Sequence, residues 1–107
     1  MRQITRDAVN AFYNGDSFKR DNTQVFIDKD GENCFKLHNA IIAKFQFNGK
    51  LWLNTDGWLT TTTKERLNGI LSKLNLAIKQ KQGKWRVYDL KGDSIPFVDC
   101  MEVILWK

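Results

Sequence analysis

The chain has one imidazole, His38, so any Ser-His-Asp or Cys-His arrangement would have to use it. It falls in a tight-turn segment, no nucleophile-elbow motif accompanies it, and the expectation is a turn residue rather than a base or ligand. Cys34 and Cys100 sit in strand-like runs and neither belongs to a CxxC pair. Without an export signal they are expected to be two reduced, buried thiols. Asp28-Lys29-Asp30-Gly31 begins like a calcium loop, but an EF-hand needs Gly at its sixth position and Glu at its twelfth, and these are Asn33 and Asn39. No Gly-rich phosphate loop is present. Carboxylate pairs form in space, and nothing in the sequence marks one out. The expectation is a non-enzymatic protein with no cofactor and no metal.

One spacing does point to chemistry, that of cations. With a two-residue turn at Gln82-Gly83, Lys81 faces Lys84 and Lys79 faces Arg86, and strand alternation puts all four on one face. Tyr88 shares that face, and Leu76, Ile78, Trp85 and Val87 turn toward the core. Like charges directly opposite destabilise a sheet by roughly 0.2–1 kcal/mol per pair, and an anionic partner would offset the repulsion. Lys19 and Arg20, in the polar connection from Asp16 to Asn22, extend the cluster if their loop lies nearby. The competing explanation is a solvated edge in which lysines resist aggregation.

The elements that position these residues follow from periodicity. Thr5 is expected to cap a helix running to Asn14, with Ala8, Val9, Phe12 and Tyr13 on one stripe and Gly15 as a left-handed terminator. Four strands follow: Thr23 to Lys29, Glu32 to Leu37, Ala40 to Phe47 and Lys50 to Asn54, separated by turns at Asp30-Gly31, His38-Asn39 and Asn48-Gly49. Thr62 and Glu65 fit a capping box opening a second helix, whose stripe is Leu67, Ile70, Leu71 and Leu74. Gly69 inside it is expected to mark close packing on the sheet. Leu76 to Lys81 and Lys84 to Tyr88 form the basic hairpin, and the tail from Phe97 to Trp106, preceded by Pro96, is expected to be one buried final strand. The fold class is α+β: two helices packed on mostly antiparallel β-meanders, in the order helix, four strands, helix, three strands.

These turns set a register for the first meander. Phe26, Phe35, Leu37, Ile42, Leu51 and Leu53 fall on one face, and Val25, Ile27, Cys34, Ile41, Ala43, Phe45, Phe47 and Trp52 on the other. Both faces are apolar, so either the helices cover one and the later strands the other, or one face binds something. The interface candidates are Ile27, Ile41, Phe45 and Trp52, with a second copy of the chain or a host protein as occupant.

Composition agrees. The 107 residues suit one globular domain spanning 1–107, and a chain with 42% hydrophobic and 12% aromatic residues can build a core without staples. Seventeen Lys and Arg against twelve Asp and Glu give a net charge of +5, a mild pull toward anionic partners, nucleic acid included. The first residues carry no apolar h-region and no stretch reaches membrane-spanning length, so neither a signal peptide nor a membrane partner is expected.

The wording also resembles a family. Thr5-Arg6-Asp7-Ala8-Val9-Asn10-Ala11-Phe12 with Ser17-Phe18-Lys19-Arg20-Asp21-Asn22-Thr23, then Leu37-His38-Asn39-Ala40-Ile41-Ile42-Ala43, Gly57-Trp58, Thr62-Thr63-Lys64-Glu65-Arg66-Leu67-Asn68-Gly69 and Gln80-Lys81-Gln82-Gly83-Lys84-Trp85 are similar to segments of small uncharacterised proteins encoded by tailed bacteriophages and prophages. The likeness runs to about Tyr88, and the C-terminal strand departs from it. The resemblance implies a phage accessory protein in the host cytoplasm and supplies no catalytic residues. The leading functional expectation is binding of a host protein, in host takeover or anti-defence; the alternative is a nucleic-acid-binding module that uses the basic hairpin.

Overall fold

The computed structural model describes residues 1–46 and 48–104, Ile104 for its backbone alone. Its elements are α1 (Gln3–Asn14), β1 (Phe18–Arg20), β2 (Thr23–Ile27), β3 (Asn33–Leu37), β4 (Ala40–Phe45), β5 (Lys50–Leu53), α2 (Thr61–Ser72), β6 (Ala77–Lys81), β7 (Lys84–Tyr88), β8 (Ser94–Pro96) and β9 (Met101–Ile104). One sheet has the order β1-β2-β3-β4-β5-β9, the other β6-β7-β8, and every pairing is antiparallel. The α+β expectation therefore holds. Among the described residues no helix is long and apolar enough to cross a membrane.

Both helices pack on one face of the large sheet, and the small sheet joins the same core by packing β6 against α2. The later strands thus do not blanket the large sheet's other face. A reciprocal amide pairing fixes the junction: the Ile78 amide donates to Asn68 Oδ1 at 2.6 Å and Asn68 Nδ2 donates to the Ile78 carbonyl at 3.2 Å. In effect Asn68 supplies the backbone partner that this edge strand lacks.

Several local expectations are corrected. Helix α1 begins at Gln3, and Thr5 is fully buried inside it rather than capping it. Gly15 does close it in the left-handed region, at φ 75°. The cap of α2 is Thr60, whose hydroxyl accepts from the Thr63 amide at 3.1 Å, two residues before the expected Thr62. Glu65 is thereby free to do something else: its Oε1 accepts from the Thr5 hydroxyl at 2.5 Å and from Arg66. The polar connection after α1 contains a further strand, β1, which pairs with β2.

Asp30-Gly31 does not form a two-residue turn. Ile27 pairs with Asn33, which leaves a five-residue loop in which Asp28 Oδ1 accepts from the amides of Asp30 and Glu32. That moves the register by one residue and flips β2, placing Val25 in the core beside Phe35, and Phe26 opposite Cys34 on the outer face. Later in the meander two slips cancel. The register shift after Phe35 makes Ile42 a bulged residue, and Phe45 pairs with Leu51 rather than Trp52. Leu37, Ile42, Leu51 and Leu53 therefore reach the core as expected, while Ala43 joins them and Phe45 packs against it. Phe47 lies outside the described residues.

Gly69 marks close packing, but against α1 rather than the sheet: a Cβ there would lie 2.6 Å from Thr5 Cγ2 and 3.2 Å from Val9 Cγ2. The tail is not one buried strand. Just ahead of it Ser94–Pro96 pairs with β7; within it Val98 is exposed, and of its described residues Met101–Ile104 return to the large sheet, beside β5. Pro96 sits on the outer strand β8, where its missing donor costs nothing. Trp106 lies outside the described residues.

The thiols differ. Cys34 is buried, whereas Cys100 is exposed in a turn at φ 67°, against the expectation of burial. Burial pushes the Cys34 thiol up to about 11, and the neighbouring Asp28 carboxylate, which accepts its hydrogen bond at 3.6 Å, adds to the rise. Thiolate is the reactive form. In native protein near pH 7.5, iodoacetamide should therefore add to Cys100 and leave Cys34 untouched, with both labelled after unfolding. Mass spectrometry reads the stoichiometry, and two adducts on the folded protein would contradict this assignment.

Candidate interaction site

The segment between β5 and α2 is short, tightly anchored and apolar at its tip. At its start Thr55 is almost fully buried, and Asp99 accepts from both its amide and its hydroxyl at 2.8 Å. The same hydroxyl accepts from the Gly57 amide at 3.2 Å, and the Trp58 amide donates to the Thr55 carbonyl at 3.0 Å. Asp56 and Gly57 both take positive φ, which Gly57 tolerates without strain. At the far end the Thr60 cap begins α2. Between the anchors stand Trp58 and Leu59, 64% and 63% exposed.

Such exposure is uncommon for a tryptophan, and hydrogen bonds hold the backbone beneath it. Beside Trp58 lies a groove of about 600 Å³. Leu37, Ala40 and Ile42 supply its apolar side, His38 and Asn39 of the β3–β4 turn one end, and Thr60, Thr62 and Thr63 a hydroxyl rim. His38 is a turn residue as expected, at φ 55°. A shallower polar hollow of about 430 Å³ adjoins it through His38 and Asn39 and is lined by Lys19, Asn22 and Lys36 among others.

The basic hairpin forms with the expected register, Lys81 opposite Lys84 and Lys79 opposite Arg86, around a turn in which Gln82 and Gly83 both have positive φ. Ile78, Trp85 and Val87 are buried on its other face. Arg86 donates from Nε to the Ser94 hydroxyl at 2.8 Å and from Nη2 to the Ser94 carbonyl at 3.2 Å. The Lys79 ammonium lies 5.4 Å from the centre of the Tyr88 ring. Lys19 and Arg20 do not join this cluster: they lie on β1, at the outer edge of the other sheet, and Arg20 pairs with Asp7 at 3.0 Å.

The apolar interface expected from Ile27, Ile41, Phe45 and Trp52 is not one surface. Phe45 stacks beneath α1, its ring 6.5 Å from Phe12 and 6.0 Å from Tyr13. Ile27 shares that face but is exposed at its margin. Ile41 and Trp52 are half-buried on the outer face, where Lys44 lies 6.0 Å from the Trp52 ring and pairs with Asp28 at 3.7 Å. The sequence signal that locates the Trp58 loop instead is two large apolar residues between a turn glycine and a helix cap, without a periodic partner. Among the described residues no group of three or more His, Cys, Asp or Glu is placed to hold a metal ion.

A family model described as Kyanoviridae Gp96 protein matches residues 1–104. The match bears out the resemblance to phage proteins and carries it through β9, beyond the Tyr88 limit read from the sequence. No curated protein and no solved structure matches the chain.

Proposed function

The chain belongs to the Kyanoviridae Gp96 family, a phage protein family, and from that footing we propose that it is a small non-enzymatic accessory protein that binds a host protein through the Trp58 loop and the groove beside it. The observation that carries this reading is the exposure of Trp58 and Leu59 on a backbone fixed at both ends by Thr55–Asp99 and Thr60. Water-facing indole on a rigid loop costs little conformational entropy to bind, and tryptophan is enriched among the residues that dominate interface energies. The groove has the size and mostly apolar lining that accept a partner side chain. The site of action that follows is the host cytoplasm, where a phage accessory protein meets host enzymes and defence complexes.

The test is affinity capture from host lysate with the tagged protein, with and without nuclease. A discrete host protein should be retained in both conditions. Trp58→Ala should weaken that complex by about 2 kcal/mol or more, roughly thirtyfold or beyond. Its unfolding free energy should stay within about 0.5 kcal/mol of the parent's, because the side chain is mostly exposed. Undiminished capture by Trp58→Ala would remove the loop from the interface.

A further inference from the structure

We propose that the outward face of the small sheet is a second, independent binding surface, and that its ligand is the phosphate backbone of a nucleic acid, engaged without regard to sequence. Lys79, Lys81, Lys84 and Arg86 lie on one face in two directly opposed like-charged pairs. Among the described residues none of the four hairpin cations has a carboxylate within 4.0 Å, as is also true of scattered surface cations such as Lys29 and Lys73; what sets the hairpin apart is four of them on one face. The nearby loop acid Asp89 is committed to its own backbone, accepting from the amides of Lys91 and Asp93 at 2.9 and 3.0 Å.

Protection of a sheet edge does not explain the whole arrangement. Lysine on an edge strand deters pairing with other chains, which accounts for Lys79 and Lys81 on β6. Strand β7 is flanked by β6 and, along Arg86–Tyr88, by β8, so edge protection covers Lys84 beside the hairpin turn but not Arg86. Arg86 is also held in place: its Nε and Nη2 bonds to Ser94 orient the guanidinium, and its Nη1 has no protein acceptor among the described residues. A fixed guanidinium among unpaired ammonium groups, spread about 5 Å across strands and about 7 Å along them, suits a chain of anions better than a single one.

The experiment is an anisotropy titration of a labelled single-stranded oligonucleotide and its duplex, at two salt concentrations. The parent protein should bind at low salt and weaken steeply as salt rises, because each phosphate contact releases counterions. Lys81→Gln/Lys84→Gln should lower the slope of log affinity against log salt by about two. Lys81→Arg/Lys84→Arg should keep it, and Trp58→Ala should bind as the parent does, which separates this surface from the proposed protein site. Thermal unfolding of the glutamine variant should match or exceed the parent. Absence of binding at low salt, an unchanged slope in the glutamine variant, or equal competition by polyglutamate would overturn the proposal, the last in favour of an acidic protein surface.

Discussion

Arg66→Ala should destabilise the fold by about 3–5 kcal/mol, as expected when one partner of a buried charged network is removed and the rest stays behind. Arg66 is 1% exposed, and its guanidinium ties three elements together. Its Nη1 donates to the Thr5 hydroxyl on α1 at 2.9 Å and to Glu65 on α2, its Nε to the Thr23 hydroxyl at the start of β2 at 3.2 Å, and its Nη2 to Asn22 Oδ1 at 3.5 Å. Truncation leaves a cavity and strands the Glu65 carboxylate with Thr5 and the Arg2 amide. Arg66→Met/Glu65→Gln should recover part of the loss, because it removes both charges while keeping the volume. Urea unfolding measures both, and a loss under about 1 kcal/mol for Arg66→Ala would show that the network contributes little.

The same network has a pH signature. Burial raises the Glu65 carboxyl, but hydrogen bonds from Thr5, Arg66 and the Arg2 amide outweigh it and hold the group below its usual 4.5. A carboxylate depressed in the folded state stabilises above its unfolded pKa, and that stabilisation is lost as pH falls through the folded value. Stability should therefore fall with acidification below about pH 4.5 in the parent. Glu65→Gln should flatten that limb of the curve.

The second large effect is expected at the helix crossing. Gly69→Val should cost about 3 kcal/mol, the upper range for overpacking a core. A Cβ at this position already lies 2.6 Å from Thr5 Cγ2. Thr5 cannot turn its methyl aside without giving up its hydroxyl bonds to Glu65 and Arg66. Leaving glycine in a helix interior recovers at most about 1 kcal/mol, so the clash decides the sign. Because the strain passes through Thr5, Gly69→Val and Arg66→Ala should be non-additive in a double-mutant cycle. Additive losses would place the clash elsewhere.

Why some of this is legible in the sequence and some is not follows from the interactions involved. The hairpin from Ala77 to Tyr88 is readable because Gln82-Gly83 fixes its register locally and the alternation of Ile78 and Val87 with lysines agrees with it. The stripe of α2 is readable because Leu67, Ile70 and Leu71 repeat at helical spacing. The β2–β3 register is not, because Asp28 folds back on its own loop through its side chain, a bond that backbone turn rules do not anticipate. Thr5 and Glu65 look like caps because capping is the commonest local use of those residues; a buried arginine that also reaches β2 claims both. Trp58 and Leu59 stand out in the sequence only as two large apolar residues between a turn glycine and a helix cap, and that pattern does not say whether they are buried. Exposure is a property of the finished fold, and it arises here from the distant bond between Thr55 and Asp99.

The most direct test of host-protein binding is site-specific photo-crosslinking during infection. A benzophenone amino acid replaces Leu59 in one variant of the phage gene and Leu90 in another. Leu59 adjoins the groove; Leu90, 81% exposed, lies in the β7–β8 loop of the small sheet. The expected result is a discrete adduct with a host protein from position 59 and none from position 90, lost when Trp58→Ala is added. No adduct from position 59, or one of equal yield from position 90, would contradict binding through the Trp58 loop.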